Sequence, residues 1–196
     1  MRLPDETYEY IKAEVVDLFI RYDVKCIPIS GFELASKMGM ILVPYSSLSP
    51  KKRNQAYRVS EDGFYIEPGD GNEYIFYNDS MGYKRANMTI LHEIGHAVLG
   101  HTEEMDHDVA EAEASFFASY ALAPPPLIHK CSDKSINYIS YLFDISIEAA
   151  QNALERYTKW FFFGPSSYMD YEIILINQVA VFSDETSKSK QSIYND

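Results

Sequence analysis

His92-Glu93-Ile94-Gly95-His96 sits inside a stretch, residues 84 to 100, whose spacing predicts a single helix ending near Gly100. Residues four apart on a helix lie about 40° apart, one turn above the other. His92 and His96 can therefore aim two imidazoles at one ion. Zinc takes nitrogen, sulfur or carboxylate donors in a tetrahedral arrangement, so this pair supplies half of a site. Glu93 lies about 100° round from His92 and cannot chelate comfortably beside them. It can reach a water held by the metal and take its proton as general base. The bland alternative is two surface histidines on an amphipathic helix.

The third donor must come from elsewhere in the chain. Sites completed by a third histidine place it six residues after the second, with a glycine between. Here His101 follows His96 by five, and on a continued helix it faces well away from it. It reads as a helix-end residue beside Gly100, favourable to the dipole. The next predicted helix, 107 to 122, carries two glutamates. Glu111 shares a stripe with Ala114, Ala118 and Ala121, so that face can approach the metal helix closely, with Ala97 or Gly100 opposite. Glu113 shares its face with Phe116, Phe117 and Tyr120, which look like core or wall. Glu111 is the better ligand on that reasoning, with Glu113 the alternative. Arg85, Ser115 and Tyr120 are candidate donors to the ligand carboxylate. His107 and His129 read as solvated or capping groups, and with sixteen tyrosines the spacing singles out no oxyanion donor.

Outward from this centre, Gly63 to Glu67 and Glu73 to Asn78 are aromatic, β-branched runs separated by Pro68-Gly69-Asp70-Gly71-Asn72, the pattern of a hairpin. Such a hairpin can offer an edge strand to an extended peptide. Before it come an amphipathic helix over 5–23 with Asp5 as cap, a short helix from Ser30-Gly31 through Lys37, a strand from Met40 to Val43, and a polar segment with room for one more helix. After the 107–122 helix, stopped by Pro124-Pro125-Pro126, helices are predicted near 134–143 and 146–161. Tyr171 to Phe182 is ambiguous between helix and strand. The order of elements implies an α+β fold of the zincin type: a small twisted sheet with the active-site helix beneath it and a mainly helical C-terminal half. Residues 1–183 are expected to form one domain, with 184–196 a polar tail.

The 196 residues carry a formal net charge of -12. Direct nucleic-acid binding calls for a basic face, and the single compact basic cluster, Lys51-Lys52-Arg53, reads as a solvated loop or helix start. An acidic surface favours basic partners instead. Cys26 and Cys131 have no metal-type spacing and are read as reduced. With no signal-peptide core and no long apolar run, a cytoplasmic protein without a membrane span is expected.

Three stretches resemble the ImmA/IrrE family of metallo-endopeptidases. The first runs from Tyr77-Asn78 through Lys84-Arg85-Ala86-Asn87-Met88-Thr89-Ile90-Leu91 and the His92–His96 motif to Leu99-Gly100-His101. The second is Glu111-x-x-Ala114-x-x-Phe117-Ala118, running to Leu122-Ala123-Pro124, similar to the family's Glu-x-x-Ala helix. The third, looser, is Phe143-Asp144-Ile145-Ser146 before a last helix. The likeness covers roughly residues 30 to 165 and departs at Ala123, where a Met is common, and at Ala86 to Met88, which lack the usual aromatic. It implies His92, His96 and Glu111 as ligands of one Zn2+ per chain and Glu93 as general base. It further implies cleavage of a protein substrate, a helix-turn-helix DNA-binding repressor of a phage or mobile element, without direct contact to nucleic acid. With about thirty residues after the last predicted helix, no additional C-terminal sensory domain is expected. A different class of reading is a non-catalytic regulatory binding module on the same scaffold; the intact Glu93 argues against it.

Overall fold

The computed structural model describes residues 2–69, 71–102 and 104–181. Its elements run α1 (Asp5–Arg21), α2 (Gly31–Met38), β1 (Ile41–Pro44), α3 (Pro50–Val59), β2 (Gly63–Ile66), β3 (Tyr74–Tyr77), α4 (Tyr83–Val98), α5 (His107–Leu122), α6 (Pro125–His129), α7 (Ile136–Leu142), α8 (Ile147–Phe163) and α9 (Asp170–Gln178). This is the α+β, zincin-like arrangement anticipated from the sequence, with helices filling the C-terminal half. Asp70, in the middle of the anticipated hairpin turn, and the anticipated tail 184–196 lie outside the described residues. Among those described, no helix is long and apolar enough to cross a membrane.

The sheet has the order β1-β3-β2. β2 and β3 form the predicted antiparallel hairpin, Gly63 opposite Tyr77 and Ile66 opposite Tyr74. β1 joins β3 in parallel, Ile41 opposite Tyr74, a pairing that needs a long crossover, here supplied by α3 and β2. The backbone N–H of Asn78 donates to the Asp62 carbonyl at 2.8 Å. Antiparallel ladders alternate, so Phe64 and Ile66 exchange bonds with β3 while Gly63 and Tyr65 turn their backbone groups outward, where the Gly63 N–H donates to the Ser60 hydroxyl at 3.1 Å. Side chains alternate as well. Phe64 and Phe76 stack on one face with centroids 4.9 Å apart, and Gly63, Tyr65 and the fully buried Ile75 share the other.

That second face rests on α4. A Cβ on Gly63 would lie 2.6 Å from the Thr89 methyl and 2.6 Å from the Phe76 carbonyl oxygen, so β2 touches the helix at a residue with no side chain. Asn87, buried on α4, accepts from the Gly31 N–H at 2.7 Å and donates to the Ile29 carbonyl at 3.0 Å, tying the helix to the start of α2. On its far side α4 meets α5. Ala114, Ala118 and Ala121 are fully buried, as the small-residue stripe anticipates. The closest approach, however, is Gly95 against the Phe117 ring, where a Cβ would come within 3.1 Å, and not at Ala97 or Gly100. One buried apolar cluster runs from Leu3 to Val179.

Several boundaries differ from the sequence reading for local reasons. Pro4, not Asp5, is the N-cap of α1. The proline run does not merely stop α5. Pro125 and Pro126 open α6, where a missing N–H costs nothing. The ambiguous 171–182 segment is helix as far as Gln178, and Ala180 then bridges Cys26. Phe182 lies outside the described residues. Both cysteines are free. Lys51-Lys52-Arg53 is a helix start, and Arg53 donates to the carbonyls of Tyr45, Ser46 and Leu48.

Gly63→Ala should lower stability by about 1–3 kcal/mol, because the added methyl must push β2 off α4. Urea denaturation of the variant against the wild type measures this directly. An unchanged midpoint would mean that the strand–helix contact is softer than described.

Candidate metal centre

α4 and α5 run antiparallel, so residues one turn apart on one helix meet residues one turn apart on the other. His96 lies beside Glu111 and His92 beside Ser115. The two histidine side chains are 17% exposed and Glu111 is 45% exposed. His92 Nε2 and His96 Nε2 are 3.1 Å apart. Glu111 Oε2 is 3.3 Å from His92 Nε2, and its Oε1 is 3.3 Å from His96 Nε2. Donors bound tetrahedrally to zinc at about 2.0–2.1 Å are separated by roughly 3.3 Å. Two imidazoles and a carboxylate at this spacing fit a divalent ion of zinc's size, and these three are the one such cluster among the described residues.

The remaining sequence candidates fall as follows. Glu93 is buried on α4 and lines the same cleft as the cluster. It accepts a backbone hydrogen bond from Tyr65, one of the two outward-turned residues of β2. Burial, and then the negative charge of Glu111, push its carboxyl up to about 8, against the pull of that hydrogen bond. Burial also lowers His92, opposed by Glu111. His96 falls to about 4, through burial and then the neighbouring His92, again opposed by Glu111. Both imidazoles are therefore neutral at physiological pH, the form in which a ring nitrogen can donate to a metal.

None of the three proposed partners for the Glu111 carboxylate takes that place. Arg85 is held by Asp62 in a two-pronged pair at 2.7 and 2.9 Å. The Ser115 hydroxyl faces His92 Nδ1 at 3.4 Å. The Tyr120 hydroxyl is buried with no hydrogen-bond partner among the described residues. His107, at the exposed start of α5, brings its Nε2 to 4.0 Å from Glu111. His129 is remote from this cleft and pairs with the Tyr157 hydroxyl at 3.2 Å.

His101 requires a correction. It does not face away from His96: the two Nδ1 atoms are 2.9 Å apart. The helical projection fails because α4 ends at Val98, and Gly100, with φ +67°, turns the chain back over the helix end. His101 Nε2 in turn lies 2.9 Å from Glu113 Oε2. Glu113, the alternative third ligand, thus pairs with His101. Leu99-Gly100-His101 held the signal, since a glycine just past a helix end marks a reversal and not a continuation.

The cleft above the cluster has a volume of about 620 Å³, bounded by Gly63 and Phe64 of the sheet edge, Arg85 and Met88 of α4, and His107 and Ser115 of α5. The β2 edge, the two imidazoles, the buried Glu93 carboxyl and the Arg85–Asp62 pair line it together. Residues 50–155, more than half of the chain, match the model of a peptidase family described as the IrrE N-terminal-like domain. No curated protein matches the chain.

Proposed function

The chain belongs to the ImmA/IrrE family of metallopeptidases, and we propose that it is a zinc-dependent endopeptidase whose metal ligands are His92, His96 and Glu111 and whose general base is Glu93. The observation that carries this reading is the meeting of the three donors at the spacing of a tetrahedral site, with the Glu93 carboxyl buried in the same cleft. Zinc bound there would supply Lewis acidity, acidifying a water and polarising a carbonyl. Manganese, iron or cobalt can occupy similar donors, so the choice of zinc is part of the proposal.

The protein's own groups divide the remaining work. The backbone N–H of Tyr65 faces the Glu93 carboxyl in the cleft and favours its ionised form. Ionised beside the charge of a divalent cation, which opposes the burial and the Glu111 charge that raise it, the Glu93 carboxylate takes the proton of the attacking water and returns it to the leaving amine. An extended substrate can lie along the outward edge of β2 and donate its own N–H groups to the outward carbonyls, since the Gly63 and Tyr65 N–H groups are already engaged by Ser60 and Glu93. Arg85 and His107 present hydrogen-bond donors along the same cleft. Water excluded by the bound chain strengthens each of these polar contacts.

For the substrate we propose a DNA-binding repressor of a phage or mobile element. A net charge of -12 suits a partner with a basic, phosphate-binding surface. No contact between the peptidase itself and nucleic acid is required.

Purified wild type should hold about one zinc per chain by elemental analysis, and His92→Ala or His96→Ala should hold none under the same conditions. Glu111→Ala should weaken zinc more than Glu113→Ala. Metal retained in the histidine variants would remove the ligand assignment. Glu93→Gln should keep its zinc but lose about 10²–10⁴-fold in turnover of the repressor, followed by the appearance of its fragments on a gel. If Glu93→Gln releases the repressed genes as well as the wild type does, the protein acts by binding and not by cleavage.

A further inference from the structure

Glu113, His101 and His96 form a chain of hydrogen-bonding groups ending on one of the three clustered donors. His101 is 4% exposed and Glu113 is 17% exposed, so water competes little for either. From this geometry we infer that Glu113 and His101 are positioning residues that lock His96 in the one tautomer able to present its Nε2 lone pair to a metal. The inference rests on the metal-centre reading above, and it assigns work to two residues that bind neither metal nor substrate.

The proton positions follow link by link. For His96 Nε2 to present its lone pair to a metal, the ring proton of His96 must sit on Nδ1. The contact between the two Nδ1 atoms at 2.9 Å then makes His101 Nδ1 the acceptor. The ring proton of His101 is left on Nε2, where a Glu113 carboxyl oxygen stands 2.9 Å away to accept it. His96 Nε2 is left bare, and it faces His92 and Glu111 at 3.1 and 3.3 Å. A hydrogen-bond acceptor two links away thus matches the nitrogen of His96 that must be free. The same contacts hold the ring's orientation, an effect that outer hydrogen-bond partners commonly have on metal-binding histidines.

Among the described residues His92 has no comparable support. Its Nδ1 faces the Ser115 hydroxyl at 3.4 Å, and a hydroxyl can donate or accept. The two histidines are chemically alike but unequally prepared: His96 is fixed before any ion arrives, and His92 is free to adjust.

The test is nitrogen-15 NMR of the histidine rings in the metal-free wild-type protein, paired with zinc titration against a competing chelator. The expected spectrum shows His101 protonated at Nε2 and His96 at Nδ1. A His96 proton on Nε2 would overturn the inference. Glu113→Gln keeps the shape but loses the charge, and His101→Phe keeps the bulk but loses both nitrogens. Each should weaken zinc by about 10- to 100-fold, with Glu113→Gln also showing a mixed tautomer at His96. A Glu113→Gln protein that folds, binds zinc within twofold of wild type and keeps the single tautomer would likewise overturn it. Should His101→Phe fail to fold, the wild-type spectrum and Glu113→Gln still decide. Wild type that takes up no zinc would sink the metal-centre reading by itself, while the tautomers measured without metal would judge the relay separately.

Discussion

The centre depends on how closely α4 can lie against α5, and that distance is set at Gly95. With no side chain there, the Phe117 ring packs directly onto the helix backbone. Glu111 has a short side chain, and it reaches His92 and His96 only because the two helix axes are this near. The same closeness lets Glu113 meet the loop that carries His101. Two residues apart on α5, the glutamates point to different sides of the helix. One helix surface thus completes the donor cluster and the other braces it.

The opposite side of α4 obeys a similar constraint. Gly63 lets β2 settle on Thr89, which brings the strand's outward backbone groups to the cleft. From that position Tyr65 can hold Glu93. Two glycines, one in the motif and one in the edge strand, therefore place α4 between its neighbours. Neither takes part in chemistry, and either would be read as a neutral position in a sequence scanned only for reactive groups.

What could be read from the sequence was mostly local. Helical spacing placed His92 and His96 on one face, and the run of alanines picked out the face of α5 that carries Glu111. The hairpin was legible from two aromatic runs about a turn. The parallel pairing of β1 with β3 was not, because nothing near either strand encodes a partner thirty residues away. α6 was hidden by prolines, which open a helix as readily as they end one. His101 was misplaced because an ideal helix was extended past the glycine that ended it. The errors share a cause: they fall where the chain changes direction, and periodicity holds only within an element.

The three clustered side chains are not equally sheltered. Both histidines are largely covered, while Glu111 stands nearly half open beside the exposed His107. In the centre proposed above, a cation arriving from solution would therefore meet the Glu111 carboxylate before the covered imidazoles. Departure would run the same route in reverse, so the rate at which such a site fills or empties would be governed by the rim of α5 and not by the buried pair whose spacing defines the motif.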